Sequence, residues 1–161
     1  MASPTSSAVP GWWLTFVAGF VPLTAGVMTL LTFWTAAANP QSPVWTGLGH
    51  LNFDYESLTS AGTDADAWLS LLASVGGVNV AAAAVAVIVV SRFALREGQR
   101  WAWWFLAFCL VWVGIHDAVM ATRFFLATGS PVMVMPYAYV MLMAAGLLRT
   151  RTVLRGGASA G

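Results

Sequence analysis

From Trp12 to Ala36 the chain is apolar and carries no ionisable side chain. Such a run exceeds the ~20 residues a helix needs to cross the hydrocarbon core of a bilayer. Three further apolar runs follow at 67–91, 101–122 and 131–148, and of these only 101–122 is interrupted by ionisable residues, His116 and Asp117. Charged residues make up 8% of the chain, where a soluble domain carries about 25%. So few charges do not cover a water-facing surface, which leaves lipid as the solvent. The expected fold is therefore all-α, an integral membrane four-helix bundle in one transmembrane domain. A net charge of +1 without a Lys/Arg run argues against a nucleic-acid surface. All seven basic residues are Arg, a usage that resembles a high-GC bacterial proteome.

The segments between the runs are unequal. Residues 1–11 are Ser/Pro/Ala-rich and uncharged, which predicts loose order. Ala36, Ala37 and Ala38 mimic a signal-peptidase site, but the preceding segment lacks a positive n-region and is too long for an h-region, so it reads as an uncleaved span. Within it Pro22 predicts a kink, with Thr24 and Thr29 able to serve the freed backbone groups. Residues 37–66 form the one long polar loop, with Asp54, Glu56, Asp64 and Asp66 and no Arg. Its stretch 50–56, HLNFDYE, alternates polar and apolar residues as a short extended piece would. Asp64 or Asp66 suits the N-cap of the second helix. In that helix Ala73, Gly77 and Ala81 stand four apart, a stripe that lets two backbones approach closely, while Asn79 near its middle needs a partner. Residues 91–100 read as a charged turn, and 123–130 as a turn through Gly129. Pro136 interrupts the fourth span near one end.

Four spans put both termini and the turn around Arg96 on one side. That side collects six of the seven Arg and leaves Arg123 and the acidic loop on the other. The positive-inside rule then places both termini in the cytoplasm and 37–66 outside, in a multi-pass protein of the cell membrane.

The densest chemistry lies in 92–117. Arg92, Arg96 and Arg100 recur four apart and would form a basic stripe for lipid headgroups or an acidic partner if the helices continued into the turn. Trp101, Trp103 and Trp104 read as a headgroup-level aromatic band. His116 and Asp117 lie some 16 residues above Arg100, about 24 Å up a ~30 Å core. An Asp there costs ~2.5–3.5 kcal/mol to insert and normally faces a bundle interior. Consecutive residues point ~100° apart on a helix, so the two are expected to face differently, with Asn79 within reach of a side-chain bond. Such a cluster either ties the helices together or serves as a site. No metal is expected: His50, Asp54, Glu56, His116 and Asp117 match no ligand spacing. No cofactor motif occurs, and the lone Cys109 sits among apolar neighbours as a small hydrophobe.

The stretch 96–104, REGQRWAWW, with four spans and a long first outer loop, resembles small bacterial four-helix membrane proteins of uncharacterised, DoxX-like type. Proteins of that kind also occur as accessory subunits of larger assemblies, including Mce lipid-import complexes. The resemblance implies a non-enzymatic accessory subunit in lipid transport, with membrane lipid and other membrane subunits as partners. Met120, Met133, Met135, Met141 and Met143, near the outer half of the last two spans, suit such contacts. The alternative is a binding protein or enzyme for an apolar ligand with His116 and Asp117 at its site, or a proton-linked transporter acting as an oligomer.

Overall fold

The computed structural model describes residues 8–38, 63–129 and 131–156, and among them it contains helices and no strand. Four rods form. The first is α1 (Trp12–Ala18) followed by α2 (Phe20–Ala38), and the second is α3 (Thr63–Val89) extended by a π-turn at Val90–Leu95. The third is α4 (Arg100–Cys109), a second π-turn at Leu110–Ile115, and α5 (His116–Thr128). A 3₁₀ turn at Pro131–Met133 leads into the fourth rod, α6 (Val134–Gly156). Three stretches are long and apolar enough to cross a membrane: Trp12–Leu31, Ser74–Leu95 and Arg100–Leu126. The fourth rod is apolar only until Leu148, after which Arg149 and Arg151 dilute it.

Several boundaries differ from the sequence expectation, each for a local reason. The second rod begins at Thr63, which puts Asp64 and Asp66 in its first turn rather than at the N-cap. Residues 91–95 are helical and not part of a turn. The chain reverses instead at Gly98, where φ is 80°. Gly98 N–H donates to Leu95 O (2.9 Å) and Gln99 N–H to Ala94 O (3.1 Å), the two bonds of a Schellman motif. The third rod runs past Arg123 to Thr128 and stops at Gly129, whose N–H donates to Phe125 O at 2.7 Å. Pro136 interrupts nothing: as the third residue of α6 it sits where no intrahelical N–H donor is needed. The alternating stretch 50–56 lies outside the described residues.

The first rod does break near Pro22, at Gly19. Pro22 has no N–H to give the carbonyl of Ala18, so the rod loses one rung there. Thr24 and Thr29 do not serve that carbonyl. Their hydroxyls donate to Phe20 O (2.9 Å) and Ala25 O (2.8 Å), each one turn back. The break separates two packings. α1 lies on α6, where a Cβ on Gly146 would stand 2.7 Å from Thr15 Cγ2 and 3.1 Å from Gly11 O. α2 lies on α3, where a Cβ on Gly26 would stand 2.8 Å from both Ala81 N and Gly77 O. Gly77 and Ala81 therefore sit at a backbone-to-backbone crossing whose other half, Gly26, belongs to the first rod. The side chain of Ala73 lies outside the described residues.

The core gathers toward the Gly98 end, around Ala18, Val87, Leu95, Leu106, Met143 and Leu147. Trp103 belongs to this end as well, since its Nε1–H donates to Leu147 O at 2.9 Å and ties α4 to α6. Along the third rod the buried positions are Ala102, Leu106 and Cys109, then Gly114, Ala118 and Ala121. The step from Cys109 to Gly114 is five residues instead of three or four, and it coincides with the second π-turn. One extra residue there turns the rest of the rod by ~100° relative to an uninterrupted α-helix.

Candidate functional site

That rotation decides where the ionisable pair stands. At unbroken α-helical spacing from Cys109, position 116 falls on the buried seam. With the π-turn in place Gly114, Ala118 and Ala121 take the seam, and His116 turns outward. Its side chain is 64% exposed and that of Asp117 46%. The two are not splayed apart as expected: His116 Nδ1 lies 3.7 Å from Asp117 Oδ1, an ion pair only when the imidazole is protonated. This separation is longer than a hydrogen bond.

Asn79 does not join them. It is exposed on α3 and makes no side-chain hydrogen bond among the described residues. The buried face of α3 is set by Gly77 and Ala84, and Asn79, two residues from Gly77, points ~200° away from it. Asp117 does reach toward α3, but what it shares a groove with is Gly76, Gly77 and Val80, together with Gly26 and Thr29 of α2.

A second cleft touches all four rods. It is lined by Pro22, Val80, Val113, Asp117, Pro136 and Tyr139, and it holds about 60 Å³. Its floor continues past Tyr139 to Cys109 and Val87 in a space of about 10 Å³, enough for one water. Tyr139 is 3% exposed and its ring lies on Gly114, where a Cβ would stand 2.8 Å from Cε1. Gly114 is thus the residue that lets the tyrosine enter the bundle. By sequence Tyr137 and Tyr139 suit the interface or a polar cavity, whereas nothing marked Gly114 as the glycine that Tyr139 faces. Along the outer flank, Thr122 Oγ1 donates to Ala118 O (2.7 Å), so the 3.2 Å contact with Tyr137 is donated by the tyrosine hydroxyl. Beside it runs an open trough of about 390 Å³ between α5 and α6, with Ile115, Val119 and Val140 along it and Arg123 at one end. Met143 is buried and belongs to the core, whereas Met120, Met135 and Met141 are exposed.

At the opposite end of the bundle the basic residues divide. Arg92 and Arg96 both lie over Trp12, their guanidinium carbons 5.7 and 5.4 Å from its ring centre. Arg100 does not continue the stripe, because the Gly98 turn intervenes and Arg100 opens the next rod. In the aromatic band Trp101 and Trp104 are 56% and 70% exposed, while Trp103 points inward and carries Arg151 at 5.9 Å. Trp104 stands edge-on to Trp103 at 4.9 Å. Farther along the same face Phe108 and Trp112 stack at 5.9 Å, both exposed.

Among the described residues no three His, Cys, Asp or Glu side chains converge on a point that would hold a metal ion. His50, Asp54 and Glu56 lie outside the described residues. No protein-family profile, curated protein or solved structure matches the chain.

Proposed function

We propose that this chain is a non-enzymatic accessory subunit of a larger assembly in the cell membrane, one that handles lipid, and that a partner's helix covers the flank bearing His116 and Asp117. The observation that carries this is the exposure of that pair, 64% and 46%, on a rod apolar enough to span. An ionisable residue at that depth normally faces protein or a watery cavity. Here the clefts that Asp117 itself lines are too small to satisfy it with a ligand. The two spaces that Asp117 lines hold about 60 and 230 Å³, below the ~300 Å³ at which small-molecule pockets begin. A neighbouring subunit would supply that cover, and the exposed Met120, Phe108 and Trp112 on the same rod offer adaptable apolar contact for it.

The orientation belongs to the same proposal: both termini and the Gly98 turn in the cytoplasm, the 37–66 loop outside. Arg92, Arg96, Arg149 and Arg151 all gather at the Gly98 end of the rods, which supports it. A single cysteine at Ser60, in a Cys109→Ala background, labels with an impermeant maleimide in intact cells, and one at Gln99 does not; the opposite pattern sinks the orientation. For the subunit reading, blue-native electrophoresis after mild detergent extraction from the native host separates an assembly from a lone chain. Migration only as a small monomer refutes it.

The trough between α5 and α6 favours a second reading, a binding protein for an apolar molecule. Its volume of about 390 Å³ fits an acyl chain, with Arg123 placed for an acidic head. Recovery of a stoichiometric amphiphile with a protein that runs as a monomer would select this reading over the first.

A further inference from the structure

We infer that Arg92, Arg96 and the ring of Trp12 form a binding site for the phosphate of an anionic phospholipid. The two guanidinium carbons lie 5.7 and 5.4 Å from the centre of one indole ring, and Arg92 also lies 5.6 Å from the ring of Phe93. A guanidinium attracted to a ring keeps N–H donors free for an anion, and its planar fork suits phosphate oxygens. Both arginines are half-buried, so each is held by the fold.

Among the described residues no acid compensates the charge. Among the described residues the one ion pair is His116–Asp117, at the other end of the bundle. Glu97 is the nearest acid in sequence, and it accepts a hydrogen bond from Gln99 Nε2 at 3.3 Å. Two cations on one aromatic platform, with no carboxylate partner among the described residues, call for an anion.

The platform is built by tertiary structure. Trp12 packs on Phe16 with ring centres 5.8 Å apart, and Val9 N–H donates to Arg96 O at 3.1 Å, fastening the start of α1 to the end of the second rod. The first π-turn sits under the arginines, closed by Arg96 N–H to Ser91 O at 3.2 Å. The apolar stretch of the first rod starts at Trp12 and that of the second ends at Leu95. The site therefore lies at the edge of the apolar zone, where lipid phosphates reside. Arg100, beyond the turn and off the ring, is not part of it.

The test uses the purified full chain in phosphatidylcholine nanodiscs doped with a minority of phosphatidylglycerol, read by native mass spectrometry for retained lipid. The wild-type chain retains phosphatidylglycerol in preference to phosphatidylcholine. Arg92→Gln and Arg96→Gln each lower retention about fivefold and together about 30-fold, while Arg100→Gln has the smaller effect. Equal losses for Arg100→Gln and Arg92→Gln would show generic surface attraction and overturn the site. Displacement of the lipid by inorganic phosphate would mark a free-anion site and overturn the lipid assignment. Should the double Gln variant fail to fold, Arg92→Lys with Arg96→Lys keeps the charge and loses the planar fork; undiminished retention there also overturns the proposal.

Discussion

The crossing of α2 and α3 permits a quantitative test of how the bundle is held together. A Cβ placed on Gly26 would stand 2.8 Å from Ala81 N and 2.8 Å from Gly77 O, where ordinary contact begins at 3.4 Å. Both obstacles are backbone, so no rotamer relieves them and the rods must part by about 0.6 Å along the contact. A gap of ~0.5–1 Å forfeits a quarter to a half of each dispersion contact around it. Overpacking of this kind costs ~1–3 kcal/mol, and the helix preference of Ala over Gly offsets ~0.5–1 kcal/mol. Gly26→Ala is therefore expected to destabilise by about 1–2 kcal/mol net. Gly76 supplies the control, because a Cβ there meets nothing within 4 Å. Gly76→Ala should stabilise by ~0.5–1 kcal/mol through helix preference alone. The two variants, compared by SDS denaturation of the purified protein followed by far-UV circular dichroism, should differ by about 1–3 kcal/mol, the overpacking cost alone, since the helix preference is common to both. If Gly26→Ala denatures together with Gly76→Ala, or after it, the close backbone crossing is wrong.

Three further outcomes follow from single contacts. Gly98→Ala, at φ 80°, is expected to cost ~1–2 kcal/mol, read by the same denaturation curve; no loss would mean the Schellman turn is not as described. Trp103→Phe removes the bond to Leu147 O, but that carbonyl keeps a bond from Thr150 Oγ1 at 3.0 Å. The loss should accordingly stay near ~1 kcal/mol, and one well above it would point to a larger role for the indole. Deleting Val111 removes the extra residue of the second π-turn and leaves Gly114, Ala118 and Ala121 on the seam, so a monodisperse helical protein should survive. Deleting Val119 swings Ala121 ~100° off the seam and should abolish it; equal tolerance of both deletions in size-exclusion chromatography refutes the seam assignment.

Much of the frame could be read from composition, because length and hydropathy are summed over many residues and a few errors do not matter. Gly98 and Gly129 were legible in part as punctuation, though the helices run closer to them than the charges at Arg92 and Arg123 suggested. Fine placement was less accessible. Face assignments assume 3.6 residues per turn, and a single residue inserted at the second π-turn has no compositional mark, so the outward turn of His116 was hidden. The exposure of Asn79 could be read only once Gly77 was known to face Gly26, a contact between rods far apart in sequence. Trp12 looked like one more apolar residue at the start of a span. Its use as a platform depends on two arginines that follow it by eighty residues and more.

The Gly11–Gly146 crossing bears on how the chain is made. α1 leaves the ribosome well before α6, yet Thr15 gains its contact with Gly146 only when the two meet. Until α6 emerges, the Gly11–Thr15 face of the first rod lacks its partner, and that side of the bundle stays open. A truncated product would expose that face in lipid, where membrane quality-control proteases survey unassembled helices. Arrival of α6, rather than insertion of any earlier span, is then the step that closes the bundle.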